Sequence, residues 1–280
     1  SVIDNNSPVE RLSKIISTCE PKALFIESAL HKVLGKNIKG LDCLILYNDN
    51  DDIYKNIKSS NKANLDITNK INSENPAYIM FTSGSTGFPK GALMTHQNVL
   101  NMINWSINTF KFSNKDKLTN VNPLYFDNSV FDLYSALFSG ACLVPFTREE
   151  TMNPKSLMDK INELKCTAWF SVPSFLIYLD MMKMLTRDNM KHIKVFIFGG
   201  EGYPKAKLIN LFKLYSDKAD IYNVYGPTEC TCICSNYKIS DKDFDDLNGL
   251  PPLGAMVQNF FYLILDSEDK EVKQNETGEL

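Results

Sequence analysis

The stretch Tyr78-Ile79-Met80-Phe81-Thr82-Ser83-Gly84-Ser85-Thr86-Gly87-Phe88-Pro89-Lys90-Gly91 decides the fold of this chain. Its first four residues are apolar and favour extended backbone, so they predict a buried β-strand. Serine and threonine hydroxyls then alternate with glycines, which let the backbone turn and present successive N–H groups to an anion. Lys90 adds a positive charge at the end of the turn. The stretch therefore predicts a strand followed by a polyphosphate-binding loop.

The spacing differs from that of the ordinary P-loop, in which Gly, four residues and Gly-Lys-Ser/Thr follow one another. Counting from Gly84, Pro89 stands in the place of the second glycine, and Lys90 is followed by Gly91. The stretch resembles instead the signature loop of the adenylate-forming superfamily. This superfamily includes nonribosomal peptide synthetase adenylation domains, D-alanine–carrier protein ligases, acyl-CoA synthetases and luciferases. The resemblance implies binding of the β- and γ-phosphates of ATP by Thr82, Ser83, Gly84, Ser85, Thr86, Gly87 and Lys90. A plain Ser/Gly turn is the alternative.

The composition is that of a soluble globular protein. Of the 280 residues 44% are hydrophobic, and the formal net charge is −3 without a basic run. These values disfavour a nucleic-acid partner and an anionic membrane surface. No apolar segment reaches the ~18 residues of a membrane span, and no signal peptide is expected. Seven irregularly spaced cysteines favour reduced thiols, and hence a cytoplasmic location, over a disulfide framework.

Downstream of the loop, predicted strands alternate with predicted helices, which indicates a mostly parallel sheet covered on both faces. The resemblance implies an α/β core with stacked, mostly parallel sheets and the start of a small β-barrel subdomain at the C-terminus. Three sub-lobes of one AMP-binding core are expected. Residues 1–114 carry the phosphate loop, residues 115–238 carry the substrate and adenine sites, and residues 239–280 form an incomplete barrel with a strand over Phe260–Leu265. Binding motifs are expected beyond the carboxyl ends of the strands.

A second motif, Asn223-Val224-Tyr225-Gly226-Pro227-Thr228-Glu229, ends a predicted buried strand. By resemblance Tyr225 stacks on adenine, Asn223 bonds the exocyclic amine, and Gly226 belongs to the same ATP site. Thr228 is implied to contact the α-phosphate, and Glu229 to hold Mg²⁺ against the phosphates, which makes these two the candidate catalytic residues. The alternative is a turn with a surface glutamate.

A third motif, Phe198-Gly199-Gly200-Glu201, follows another predicted strand. It fails the dinucleotide pattern Gly-x-Gly-x-x-Gly, because Lys205 stands at the third glycine when the count begins at Gly200. The resemblance implies that Gly200 and Glu201 form part of the adenine-binding wall. A helix-entry turn is the alternative.

The motif Phe126-Asp127-Asn128-Ser129 bears on the class of substrate. Asp127 has two interpretations, because it can cap the helix that begins near Ser129 or pair with a cation of the substrate. In members of the superfamily that activate amino acids, an aspartate at this place binds the α-ammonium group. Acyl-CoA synthetases and luciferases generally lack it.

By the same resemblance, the rest of the amino-acid pocket is a mostly apolar wall without a charged side chain. It comprises Asn128, Phe131, Ser174, Ile197, Gly199, Val224, Cys232 and Ile233. This wall is narrowed by Phe131 and widened by Gly199, which favours a small-to-medium neutral amino acid. Cys230, Cys232 and Cys234 alternate, so a strand would place them on one face as packed thiols rather than as a metal site.

Together the motifs predict ATP- and Mg²⁺-dependent activation of a neutral amino acid as an aminoacyl-adenylate, with release of pyrophosphate. The expected acceptor is the phosphopantetheine thiol of an acyl or peptidyl carrier protein. An acyl- or aryl-CoA synthetase is one alternative. The other is a non-catalytic nucleotide-binding fragment, because the resemblance places the ribose-binding aspartate and the C-terminal-domain lysine outside these 280 residues. Impaired turnover of the 280 residues alone is therefore expected.

Overall fold

The computed structural model describes residues 1–35, 43–47, 58–59, 70–83 and 88–280. The chain forms two compact units, Ser1–His96 and Gln97–Leu280. The centre of the predicted phosphate loop, from Gly84 to Gly87, lies outside the described residues. The sequence-based division into three sub-lobes stays a prediction.

The first unit contains short strands and two helices in its described part. These are α1 (Val9–Cys19), β1 (Ala23–Ile26), α2 (Ser28–Leu34), β2 (Leu44–Tyr47), β3 (Pro76–Ser83) and β4 (Pro89–Thr95). Strands β1 and β2 are parallel, and β3 and β4 are antiparallel, with Thr82 opposite Lys90. The strand predicted before the phosphate loop is thus confirmed as β3. A small apolar core comprises Leu12, Ile16, Ile26 and Leu34.

The second unit contains a seven-stranded sheet. Its strands are β5 (Lys117–Asn120), β6 (Cys142–Pro145), β7 (Ala168–Ser171), β8 (Val195–Gly199), β9 (Asp220–Tyr225), β10 (Ser235–Lys238) and β11 (Ala255–Met256). The spatial order is β6-β5-β7-β8-β9-β10-β11. The first five strands are parallel, and β10 pairs antiparallel with both β9 and β11. The predicted mostly parallel α/β fold is confirmed.

Helix α3 (His96–Phe110) precedes β5, and the parallel strands are connected by α4 (Asn128–Ser139), α5 (Arg148–Met152), α6 (Pro154–Leu164), α7 (Pro173–Met181) and α8 (Lys205–Tyr215). The side chain of Asn153 accepts a hydrogen bond from the Ser156 N–H, which caps α6 ahead of its first residue, Pro154. One core joins buried residues of α6, α7 and α8 to the sheet through Trp169, Phe196 and Ile221. Because side chains alternate along a strand, Phe170, the neighbour of Trp169, packs instead on Phe131 of α4. The sheet is therefore covered on both faces.

One sequence prediction about the last residues is corrected. Phe260–Leu265 is not a strand: only Leu265 pairs, in isolated bridges with Glu271 and Glu279. Phe261 is 95% exposed, so its apolar side chain has no packed surface to stabilise extended pairing. The barrel subdomain stays a prediction.

The alternating cysteines also differ from expectation, because residues 230–234 are not a strand. A 3₁₀ turn covers Thr228–Cys230, and Thr231 and Cys232 have positive φ angles of 60° and 78°. Cys232 and Cys234 are nevertheless buried free thiols. The described residues contain no group of three or more His, Cys, Asp or Glu that could hold a metal, and the choice of packed thiols over a metal site stays a prediction.

Candidate active site

A cavity of about 760 Å³ in the second unit lies beyond the carboxyl ends of β5, β7, β8 and β9. The sequence-predicted residues that line it are Asp127, Asn128, Gly200, Glu201, Gly226 and Thr228. They come from three separate motifs that parallel pairing brings to one edge of the sheet. The expectation that these motifs follow strand ends is confirmed for this unit.

The Asp127 carboxylate lies at the centre of the candidate site. It accepts a hydrogen bond from the Thr228 side chain, and it is close enough to Glu229 to be repelled by the negative charge of that residue. Desolvation by burial is the largest influence and raises the pKa of Asp127; the Thr228 hydrogen bond opposes this shift, and the Glu229 charge adds to it. A partly buried carboxylate without a cationic partner among the described lining residues is suited to a cation brought by a ligand.

The helix-cap interpretation of Asp127 is not what the structure shows. Asp127 precedes α4, but its backbone is helical and its side chain makes no capping hydrogen bond. The turn is closed instead by the Ser129 hydroxyl, which donates to the Phe126 carbonyl at 2.7 Å. The carboxylate accepts from the backbone N–H of Asn128, the first residue of α4, and it also lines the cavity.

A second cavity, of about 390 Å³, shares Gly200, Glu201, Gly226 and Pro227 with the first. Tyr225 and Asn223 line it, together with Leu250 and Pro251. The Asn223 amide Nδ2 donates to the Pro252 carbonyl at 2.8 Å. This bond leaves the amide carbonyl oxygen to accept from an amine. An aromatic face beside a hydrogen-bond acceptor is suited to a purine base.

Glu201 connects the two cavities, because it lines both. Its Oε2 accepts a hydrogen bond from the backbone N–H of Ser174, in the first turn of α7, at 3.0 Å. The carboxylate thereby satisfies one of the otherwise unpaired N–H groups of that helix. The exposed Ser174 enters the site through its backbone rather than as a pocket wall.

Several residues predicted for the pocket wall are packed in the protein interior instead. Ile197, Cys232 and Ile233 are buried and line neither cavity, and Val224 lines the smaller one. Phe131 is 1% exposed, with its ring centroid 5.0 Å from that of Phe170. Their assignment to the substrate site stays a prediction. Sequence reasoning missed other lining residues, which are Asn122, Thr151, Met152, Phe175 and Tyr178.

The predicted phosphate-loop residues within the described part of the first unit flank its hairpin. The Thr82 hydroxyl is 3.5 Å from the Lys90 carbonyl across the ladder, and Lys90 is exposed. For Ser83 only the strand backbone is described. The phosphate-binding role of these residues stays a prediction.

Comparison with known proteins decides the family. The family described as AMP-binding enzyme matches residues 1–280. The chain belongs to the AMP-binding enzyme family. The resemblance inferred from the motifs is thereby confirmed.

Two relatives within this family are carrier-protein ligases. The chain is 33% identical over 281 residues to the D-alanine–D-alanyl carrier protein ligase of Listeria welshimeri, covering 99% of this chain and 53% of that protein. It is 33% identical over 245 residues to the L-proline–(L-prolyl-carrier protein) ligase of Pseudomonas fluorescens, covering 86% of this chain and 48% of that one. The chain spans about half the length of these curated relatives.

Solved structures of AMP-binding enzymes support the fold. The Klebsiella oxytoca NpsA N-terminal subdomain, in complex with 3-hydroxybenzoyl-AMSN, matches with a TM-score of 0.78 at 18% identity, over 99% of this chain and 65% of that one. The Vibrio cholerae adenylation domain AlmE, in complex with glycyl-adenosine-5′-phosphate, matches with a TM-score of 0.78 at 20% identity, over 96% of this chain and 52% of that one.

The family implies a magnesium ion, and Glu229 is suited to hold one. It is an exposed carboxylate on the 3₁₀ turn beside Thr228. Magnesium in nucleotide sites is commonly held by one or two carboxylates together with substrate phosphates, so a single protein carboxylate fits.

Among the described residues, no helix has the length and apolarity needed to cross a bilayer.

Gly199 has no side chain, and this allows β8 and β9 to pack closely rather than enlarging a cavity. We therefore expect Gly199→Ala to lower the free energy of unfolding by about 1–3 kcal/mol. An added Cβ would lie 2.4 Å from the Val224 carbonyl oxygen, across the β8–β9 pair. Urea denaturation measures the loss. Gly249→Ala is the matched control, because its added Cβ meets nothing within 4 Å and only the φ of +71° is unfavourable. Equal losses in both variants would contradict the packing argument.

The buried Asp132 predicts a pH-dependent stability. Burial raises its pKa to about 8, although hydrogen bonds from Asn120 and Asn122 oppose the shift. The folded chain therefore keeps a proton on Asp132 that the unfolded chain loses near pH 4. The free energy of unfolding consequently falls as the pH rises from about 4 to 8, by up to about 1.4 kcal/mol per pH unit. Asp132→Asn removes this dependence. Urea titrations of both proteins at pH 5 and pH 8 measure the difference, and parallel changes would refute the prediction.

Proposed function

We propose that this chain is the nucleotide- and amino-acid-binding part of a ligase that activates a neutral amino acid. The carboxylate of the amino acid attacks the α-phosphorus of ATP, which forms an aminoacyl-adenylate and releases pyrophosphate. Membership of the AMP-binding enzyme family supports the nucleotide half of this proposal. The two carrier-protein ligases among the relatives support the amino-acid half.

The observation that carries the proposal is the position of Asp127 beside Thr228 in the same cavity. An ammonium group bound to Asp127 would bring the substrate carboxylate towards the hydroxyl that we assign to the α-phosphate. Holding both reactants in one orientation supplies a large part of the rate enhancement in such a displacement. The Asp127 carboxylate has no cationic partner among the described lining residues, which favours an amino acid over a fatty acid that would leave that charge unpaired.

The second cavity is assigned to adenine, with Tyr225 stacking on the base and Asn223 accepting from its exocyclic amine. Gly200, Glu201 and Gly226, shared by both cavities, then lie between the base and the reacting groups. Glu229 would hold Mg²⁺, which neutralises phosphate charge when bound. The loop Thr82–Gly91 is assigned to the β- and γ-phosphates from its resemblance.

The proposed substrate has a small-to-medium neutral side chain. Among the described residues that line the larger cavity, Asp127 and Glu201 are the charged ones, and Glu201 is already hydrogen-bonded to Ser174. The remaining lining includes the apolar Phe126, Met152 and Phe175. No described lining residue is thus a cation that could pair with an acidic substrate side chain.

We further propose that the aminoacyl group is transferred to the phosphopantetheine thiol of a carrier protein. The names of the two relatives support this acceptor. A cytoplasmic location belongs to the same proposal, since all seven cysteines are free thiols.

Amino-acid-dependent exchange of pyrophosphate into ATP, measured with the full-length protein and a panel of neutral amino acids, tests the proposal. We expect exchange with one or a few of them in the presence of Mg²⁺. Hydroxylamine trapping with fatty and aryl acids is the parallel assay. Trapping with those acids but not with amino acids would identify an acyl- or aryl-CoA synthetase, and nucleotide binding without any exchange would identify a non-catalytic protein.

A further inference from the structure

Asp132 is a fully buried carboxyl group that the proposed chemistry does not use. It lies on α4, five residues after Asp127, and is 1% exposed. Its Oδ2 accepts two hydrogen bonds, from Asn120 Nδ2 at 3.0 Å and from Asn122 Nδ2 at 2.9 Å. A buried carboxyl group is costly unless such donors satisfy it, so its retention inside the protein calls for an explanation.

The two asparagines extend this cluster to the sheet. Asn120 is the last residue of β5, and its Nδ2 also donates to the Asn122 carbonyl at 3.1 Å. Asn122 Nδ2 also donates to the carbonyl of Phe170 on β7, at 3.0 Å. The Asp132 cluster, defined as Asp132, Asn120 and Asn122, therefore ties α4 to the ends of two neighbouring strands.

The segment between these attachments carries Asp127. The chain leaves the Asp132 cluster at Asn122, passes through Pro123–Phe126 and returns in α4, which holds Asp132. Within the segment, the Phe126 N–H donates to the Pro123 carbonyl at 3.0 Å. The Asp132 carboxyl group thus holds both ends of this short turn, Asn122 at its start and α4 at its end. The position of the Asp127 carboxylate depends on both attachments.

We infer that Asp132 is a positioning residue for substrate recognition, which holds the Pro123–Asp127 turn so that Asp127 faces the cavity. Asp132 and Asn120 do not line the cavity, and Asn122 does. The effect on the substrate is therefore exerted through Asp127 and the backbone that carries it. Functional groups need this kind of support because misplacement by about 1 Å can cost two orders of magnitude in rate.

Three variants and a control separate positioning from general stability. Asp132→Ala removes the acceptor and leaves each asparagine amide with only its bond to a backbone carbonyl, whereas Asp132→Asn keeps a carbonyl oxygen that can accept both lost bonds. Asn120→Ala is a milder change that removes one donor, in case Asp132→Ala does not fold. The control is Asp243→Ala, a buried carboxylate that accepts from Ser240 and Tyr237 and lines neither active-site cavity.

Hydrogen–deuterium exchange of the full-length protein is the first readout, and it does not depend on activity. We expect amide exchange in Pro123–Ser129 to accelerate about tenfold or more in Asp132→Ala, less in Asn120→Ala, and not in Asp132→Asn or Asp243→Ala. Unchanged exchange in this segment for both alanine variants of the Asp132 cluster would overturn the inference.

Steady-state kinetics is the second readout, and it rests on the proposed function. We expect Asp132→Ala to raise the KM for the amino acid about tenfold or more, with the KM for ATP changed less than about twofold, and Asp132→Asn to restore both. Equal rises in the two KM values, or the same pattern in Asp243→Ala, would show a structural role only and would overturn the inference. If the wild type activates no amino acid, the proposed function fails. Hydrogen–deuterium exchange still decides in that case whether Asp132 positions the turn.

Discussion

Replacing Asp127 by Ala in the full-length protein is expected to lower kcat/KM for the amino acid by a factor of about 10² or more, corresponding to roughly 3 kcal/mol. The structure places this carboxylate at the cavity, hydrogen-bonded to Thr228 and without a capping bond to α4. A charge-assisted pair with the substrate ammonium group would therefore be lost. The affinity for ATP should change little, because no adenine or phosphate contact is assigned to Asp127. Pyrophosphate exchange and calorimetry measure the two effects separately.

Des-amino analogues of the substrate provide the internal control for Asp127. They carry no ammonium group, so we expect them to bind wild type and variant almost equally. Asp159→Ala, which removes an exposed carboxylate from α6, should leave all constants unchanged. Parallel loss of ATP binding and amino-acid recognition would identify Asp127 as a structural residue and would favour an acyl-CoA synthetase.

The positions of the motifs could be predicted from the sequence because they depend on local patterns. Each motif follows a short apolar run, and in the second unit parallel pairing then brings the ends of these runs to one edge of the sheet. Tyr225 is the last residue of β9 and Gly200 follows β8, and both line the smaller cavity. Neither placement needs any knowledge of side-chain packing.

The wall of the cavity could not be predicted in the same way, because it depends on how helices pack. Phe131 and Asp132 are neighbours on α4 and both are 1% exposed, one among aromatic rings and the other beneath two asparagine amides. An aspartate in a helix normally indicates the solvent-facing side. The polar Asn120 and Asn122 near the end of a buried strand were the signal that could have revealed its partners.

The segment after β11 differs from prediction for a related reason. Apolar residues such as Phe261 and Leu263 have the composition of a strand, but a strand forms only where a partner and a packed face are available. Both side chains are exposed in the structure. Sequence pattern therefore indicates the capacity for pairing at these residues, while tertiary contacts decide whether it occurs.

Replacing Glu229 by Gln is expected to lower kcat for pyrophosphate exchange by about 10²-fold or more, because a charged ligand of the proposed Mg²⁺ becomes a neutral one of the same shape. The Mg²⁺ concentration that gives half-maximal activity should rise as well. Titration of exchange activity with Mg²⁺ at saturating ATP and amino acid measures both changes. Glu163→Gln, an exposed glutamate of α6, is the matched control and should behave as the wild type.

The same substitution has a second expected consequence, which separates an electrostatic role of Glu229 from a purely structural one. The Glu229 charge raises the pKa of Asp127, so its removal should lower that pKa. Because the ionised Asp127 binds the ammonium group, loss of amino-acid affinity on acidification should begin at a lower pH in Glu229→Gln than in the wild type. Calorimetric titrations of the amino acid across the acidic range, without Mg²⁺ or ATP, measure this shift. If the substitution changed neither the pH at which amino-acid affinity is lost nor the Mg²⁺ requirement, Glu229 would have no role in the site. Thr228 would then be the one remaining catalytic candidate on this turn.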